Sequence, residues 1–216
     1  MSMCAVKIMQ CTSGEAIKEA ARVVSQGGLV VYPTDTVYGL GCDPFNGNAV
    51  DRIFKVKGRP SRPMPILVSS IERAEQLVEL GKVGAVLASK FWPGALTIVA
   101  PIKVNISLPE NLTCGFKTLG VRVPNHNCAL KLIVGAGGFL VGTSANRSGE
   151  KPSLTVEEAV NSLQQSVDIY LDGGRVVLGR ESTVLDISRE EPVVVREGAI
   201  SKETIFGVLR SMGLQI

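Results

Sequence analysis

The sequence predicts an α/β fold, a mixed, largely buried sheet flanked by helices, and two observations predict it. Helical and extended patterns alternate along all 216 residues with short connections, which is how a chain covers a sheet on both faces. The composition agrees: 45% of residues are hydrophobic and only 5% aromatic, so the core is built from Val, Leu, Ile and Ala. No linker, repeat or low-complexity tract divides the chain, and residues 1–216 read as one domain.

Thr12-Ser13-Gly14-Glu15 reads as a capping box opening a helix that carries Ile17, Ala20, Ala21 and Val24. Gly27-Gly28 stops it, and Leu29 to Tyr32 is a short buried strand. Ala49 to Val56 is helical, with Val50, Ile53 and Phe54 on one face. A strand at Ile66 to Val68 precedes a helix marked by Ile71, Ala74, Leu77 and Val78. Leu96 to Ala100 and Gly120 to Val123 are strands, Cys128 to Val134 a helix, and Phe139 to Val141 a strand. Thr155 caps a helix carrying Val156, Ala159, Val160 and Leu163. Strands follow at Ile169 to Leu171, Thr183 to Ile187 and Val193 to Val195, then a last helix after Ser201 with Ile205, Val208 and Leu209.

Several function classes are excluded early. The longest charge-free stretches, Phe91 to Ile102 and Leu132 to Asn146, are short of a membrane span. The first residues lack a secretory signal, so the expected location is the cytoplasm. Five scattered cysteines without a CxxC pair read as reduced, buried thiols. The single histidine, His126, removes HExxH hydrolases and reads as a helix-start or surface residue. There is neither a P-loop nor a GxGxxG motif. A net charge of +3 is compatible with a small polyanionic ligand.

Polar residues gather at strand ends in four segments, where α/β folds bind ligands. Tyr32 to Gly41 offers hydroxyls and backbone amides, or is an ordinary turn. Lys55 to Pro63 places four cations within eight residues; Lys57 and Arg59 would give a phosphate chain a point charge and a forked donor, and the alternative is a solvated basic loop. Val141 to Gly149 supplies Ser144, Asn146 and Ser148 on small-residue backbone, or caps a helix. The fourth is Gly179 to Thr183, with Arg196 after a hairpin-like return, and Arg196 reads as a phosphate clamp or an ion pair with Glu197. Arg122, inside a β-branched strand, needs an anion, which is either a carboxylate-bearing ligand or a buried Asp or Glu.

Taken together, Tyr32-Pro33-Thr34-Asp35-Thr36-Val37-Tyr38-Gly39-Leu40-Gly41, Lys57-Gly58-Arg59-Pro60, Phe91-Trp92-Pro93-Gly94, Val121-Arg122-Val123-Pro124, Ser144-Ala145-Asn146, Glu181-Ser182-Thr183-Val184 and Arg196-Glu197-Gly198-Ala199-Ile200 resemble, in order, the YrdC-like family of threonylcarbamoyl-AMP synthases. The resemblance implies a twisted open sheet with a large concave basic cavity. It implies a nucleotidyltransferase that joins L-threonine, bicarbonate and ATP, with Mg2+, into threonylcarbamoyl-AMP and pyrophosphate. A separate transferase would then use the product to modify the tRNA adenosine beside the anticodon. It implies Lys57, Arg59, Ser144 and Asn146 as the catalytic set, with Thr118, Ser153 and Arg196 added on the ATP side. Thr36, Arg122, Gly142 and Ser182 would bind threonine, with a threonine carboxylate as the anion of Arg122. Asp35 and Glu181 are candidate magnesium ligands. Relatives carry a threonine-contacting histidine where this chain has Ser69, and Ala-Pro where it has Gly142-Thr143. With the chain ending at Ile216, the second domain of the longer synthases is expected to be missing. A non-catalytic double-stranded RNA or tRNA-binding module of the same fold is the alternative.

Overall fold

The computed structural model describes residues 6–58 and 62–213. The strands divide into two mixed sheets where a single one was expected. The first contains β1 (Ile8–Gln10), β2 (Val30–Tyr32), β3 (Gly39–Gly41), β8 (Thr143–Ser144) and β9 (Ile169–Asp172), in the spatial order β1-β9-β2-β3-β8. The second contains β4 (Ile66–Val68), β5 (Leu96–Pro101), β6 (Thr118–Arg122), β7 (Phe139–Val141), β10 (Thr183–Asp186) and β11 (Val193–Arg196), in the order β11-β10-β5-β6-β4-β7. The helices α1 (Gly14–Ser25), α2 (Gly47–Lys57), α3 (Ile71–Leu77), α4 (Gly81–Phe91), α5 (Glu110–Thr113), α6 (Asn127–Gly135), α7 (Val156–Leu163) and α8 (Lys202–Ser211) cover them.

At one crossing the chain passes from sheet to sheet within a single residue. β7 pairs with β4 in the second sheet, and two residues later β8 pairs with β3 in the first. Gly142 is the residue between them, and a Cβ there would meet Leu67 Cγ at 2.6 Å. Its amide donates to Pro65 O at 2.9 Å and Val141 N donates to Cys42 O at 2.9 Å, so both sheets hold the crossing. Gly41 makes the same close approach from the other side, where a Cβ would meet the Val141 carbonyl at 2.5 Å and the ring of Tyr32 at 2.9 Å.

Local signals are read correctly where they are strong. Ser13 caps α1, its side chain accepting from Ala16 N. Glu15 is therefore not the far half of a capping box, and the cap is a plain serine cap. Gly58 ends α2 in the left-handed conformation at φ 61°, as C-terminal glycines do. Val78 leaves α3 and bridges Ile102 instead of extending the helix. β3 lies in a segment read as ligand-facing hydroxyls and amides or an ordinary turn, with no strand expected there, and α4 was not legible. Two glycines, no side-chain cap and a buried face of Gly84, Leu87 and Ala88 give α4 no amphipathic stripe of large residues. Gly84 is there because Leu80 and Ile187 leave no room for a Cβ.

The cysteines depart from expectation. Cys11 and Cys128 form a disulfide across 117 residues of sequence, tying the end of β1 to the first turn of α6. Spacing along the chain carried no hint of the pairing, which the packing of α1 on α6 brings about. Cys42 is a buried free thiol, and burial holds its pKa far above the ordinary value. His126 is the N-cap residue of α6, half-buried, and its Nδ1 has no partner among the described residues.

Closing so long a loop stabilises the fold by about 2–5 kcal/mol. The double variant Cys11→Ser, Cys128→Ser loses that amount in guanidinium unfolding, and reductant lowers the wild type to match. Desolvation pushes the His126 pKa down, opposed only by Asp35. The unfolded chain therefore takes the proton first, and stability falls as pH drops below about 6.5. Melting temperatures between about pH 5 and 7.5 show a shallower acid-side decline in His126→Gln.

Candidate functional site

A cavity of about 610 Å³ opens at the seam between the sheets. Its walls come from the β2–β3 turn, the segment entering β4, the open face of β5, β6 and β10, the crossing at Gly142, and the end of β11. The side chains of Thr97, Val99, Thr118, Arg122 and Val184 face it, as does Arg196. Gly120 keeps the floor open, because a Cβ would meet Pro65 and Thr97 at 3.2 Å.

Arg122 is 5% exposed and held on three sides. Its Nε donates to Gly94 O at 2.7 Å, Nη1 to Thr36 Oγ1 at 3.0 Å, and Nη2 to Asp35 Oδ1 at 2.5 Å. Asn125 N also donates to Asp35 Oδ1, at 3.0 Å. The expectation that a ligand replaces an acidic partner is thus corrected: the chain supplies Asp35. Burial lowers the Arg122 pKa, and the Asp35 carboxylate is the main influence opposing it. Thr34 donates its hydroxyl to Val37 O at 2.6 Å, so in the 2.9 Å contact between Thr34 and Thr36 it is Thr36 that donates. Thr36 Oγ1 accepts from Arg122 and donates to Thr34, which fixes the β2–β3 turn around the guanidinium.

The other predicted residues divide into two groups. Thr36, Thr118, Arg122, Gly142, Ser144, Ser182 and Arg196 all line the cavity. Lys57, Asn146 and Ser153 are buried behind it and shape the loop after β8. Lys57 Nζ donates to Ser144 O at 2.5 Å and Asn146 O at 2.8 Å. Ser153 Oγ donates to Ala145 O at 2.7 Å, and Asn146 Nδ2 donates to Arg147 O and Glu150 O. Asn146 Oδ1 is buried without a partner among the described residues. Arg59 lies outside the described residues. Ser69 is not on the cavity wall; its amide donates to Gly138 O, and Met64, Pro65 and Leu67 face the cavity along that stretch.

Arg196 pairs with Glu181 at 2.9 Å and not with Glu197, whose carboxylate accepts from Lys202 N. Its Nη2 also donates to Ser182 O at 3.0 Å. Thr97, read from sequence as an ordinary strand residue, shares a 2.8 Å hydrogen bond with Ser182 on the floor. A hydroxyl on the open face of a buried strand was the only signal for it. Tyr38, its pKa pushed up to about 12 by burial, stays a neutral donor to Gly174 O at 2.7 Å.

Neither magnesium candidate is an open carboxylate: Asp35 holds Arg122, and Glu181 holds Arg196. Among the described residues no three His, Cys, Asp or Glu side chains form a metal-binding group. A magnesium here fits as a partner of ligand phosphates, leaning on at most one carboxylate, which is that ion's habit. Hydroxyls and arginines in fixed orientations are suited to placing anions side by side and offsetting their charge. No helix among the described residues is long and apolar enough to cross a membrane.

A family model covering Sua5, YciO and YrdC, described as "Telomere recombination", matches residues 22–198. The chain is 39% identical over 195 residues to the threonylcarbamoyl-AMP synthase of Pyrococcus abyssi, covering 89% of this chain and 57% of that protein. It is 37% identical over 200 residues to the Bacillus subtilis threonylcarbamoyl-AMP synthase, covering 92% and 58%. The chain thus spans less than two thirds of the length of these two relatives. The crystal structure of P. abyssi Sua5 complexed with L-threonine superposes with a TM-score of 0.88 at 36% identity, over 95% of this chain and 60% of that one. With the family model matched over residues 22–198, the chain belongs to the Sua5/YciO/YrdC family.

Proposed function

We propose that the protein is a nucleotidyltransferase of the threonylcarbamoyl-AMP synthase type, making threonylcarbamoyl-AMP and pyrophosphate from L-threonine, bicarbonate and ATP. One observation carries the reading: a single cavity gathers Thr36, Arg122, Gly142 and Ser182 beside Thr118, Ser144 and Arg196. Likeness over most of the chain to two proteins named for that activity supports it.

The chemistry asks for placement more than for a protein nucleophile. Bicarbonate takes up a proton and loses water to give carbon dioxide; the neutral threonine amine adds to its carbon and, giving up one N–H proton, becomes a carbamate. A carbamate oxygen then attacks the α-phosphorus of ATP as the bond to the β-phosphate breaks and pyrophosphate leaves. Arg122 would bind the threonine carboxylate with the N–H that remains on each terminal nitrogen. Arg196 would exchange Glu181 for a phosphate oxygen, an inexpensive move for a pair whose side chains are 44% and 37% exposed. Ser144 and Thr118 would donate to the nucleotide from opposite walls. Lys57, Asn146 and Ser153 would act by holding the 144–147 loop in shape. Magnesium bound with ATP would supply charge neutralisation on the phosphates. Setting two anions in contact without water is the larger part of such a barrier.

The product would pass to a tRNA-modifying transferase in the cytoplasm. Pyrophosphate release from ATP and Mg2+ tests the reading and requires both L-threonine and bicarbonate. Arg122→Ala raises the threonine KM by roughly 30-fold or more, the effect of losing about 2 kcal/mol of charge-assisted contact. Arg196→Ala raises the ATP KM instead. Release that ignores threonine overturns the substrate assignment. No release under any combination, with duplex RNA bound in a steeply salt-dependent way, transfers the function to RNA binding.

A further inference from the structure

Arg122 reaches the cavity wall from a strand, but Asp35 decides which way it faces. We propose that Asp35 is a positioning residue for the amino-acid carboxylate: it fixes the plane of the Arg122 guanidinium and offsets its charge, so that the carboxylate is admitted by orientation and not by an unpaired cation. The inference rests on the synthase reading and adds to it a side chain that touches no substrate.

Thr34 and Thr36 line the cavity, and Asp35 between them does not. Its side chain is 8% exposed and turned inward. Three segments lock it: Oδ1 accepts from Arg122 Nη2 and from Asn125 N, while its carbonyl accepts from Leu178 N at 3.0 Å. The turn that carries it is closed by Thr34 Oγ1, which accepts from the amides of Thr36 and Val37. Asp35 therefore cannot turn away without opening that turn. With Gly94 O on Nε and Thr36 on Nη1, the guanidinium is held at all three nitrogens, and what it can still offer points where those bonds leave room.

The charge argument runs the same way. An unpaired arginine in this wall would attract an anion with little regard to its shape. Paired with Asp35 it is close to neutral, so binding depends on two well-aimed N–H groups, a geometry that suits a planar carboxylate.

The test measures KM for L-threonine and for ATP by pyrophosphate release with Mg2+ and bicarbonate, in Asp35→Ala, Asp35→Asn, Asp35→Glu and Arg122→Ala. Asp35→Ala raises the threonine KM about tenfold while the ATP KM stays within about twofold, a split that a general loss of structure does not produce. Asp35→Asn, which keeps an acceptor for Arg122 and Asn125, raises it about threefold. Asp35→Glu keeps the charge but displaces it by a methylene and raises the threonine KM as well. Should Asp35→Ala fail to fold, the Asn and Glu variants carry the comparison. If Arg122→Ala raises the threonine KM and the foldable Asp35 variants leave it within about twofold, Asp35 does not position Arg122 and the proposal falls. Threonine and ATP KM rising together, with a lowered melting temperature, also overturns it. If Arg122→Ala itself leaves the threonine KM unchanged, it is the reading of the site that fails, and the proposal goes with it.

Discussion

The buried pair of Arg122 and Asp35 is the constraint on which the site is built. A guanidinium with 5% exposure in a sheet of β-branched residues loses its hydration and must be repaid by close, well-directed acceptors. The chain meets that demand from three directions at once: the Gly94 carbonyl after α4, and Thr36 and Asp35 in the β2–β3 turn. Each acceptor belongs to a different part of the fold from β6, so satisfying one arginine fixes the relation of two sheets. Removing a single acceptor would leave a buried charge short of a partner.

The seam between the sheets is the second constraint, and it is steric. The chain changes sheets at Gly142, pressed against Leu67, and Gly41 lies against the Val141 carbonyl and Tyr32. The loop that follows, Ser144 to Arg147, is held by Tyr38, Ser153 and Ser162. Lys57 adds to them from the end of α2, its ammonium bridging two carbonyls of that loop. The lysine that reads from sequence as a phosphate ligand thus also ties α2 to the backbone that presents Ser144.

A similar shift of role runs through the charged residues of the cavity. Arg196 faces Glu181 and Arg122 faces Asp35, so two of the arginines at the ligand space are paired inside the protein, while Arg62 also lines the cavity. Paired charges leave less net field but more orientation, which favours ligands whose own charge is well shaped. Thr97 and Ser182 extend the same logic to neutral groups, each hydroxyl set by the other.

The sequence by itself determined the alternation of helices and buried strands, because periodicity and strong caps are local: Ser13, Asn46, Ser70, Thr155 and Ser201 each hold the amide three residues on. Ordered motifs likewise marked Thr36, Arg122, Ser144, Ser182 and Arg196 as residues that would share one place. The division into two sheets, the helix Gly81–Phe91, the disulfide between Cys11 and Cys128, and the partners of Arg122 and Arg196 were decided only by tertiary structure. Those features depend on contacts such as Asp35 with Arg122, 87 residues apart, and Glu181 with Arg196, 15 apart. A charge in a sequence announces that it needs a partner, but not which one; only the folded backbone brings the candidates within hydrogen-bonding distance and excludes the rest.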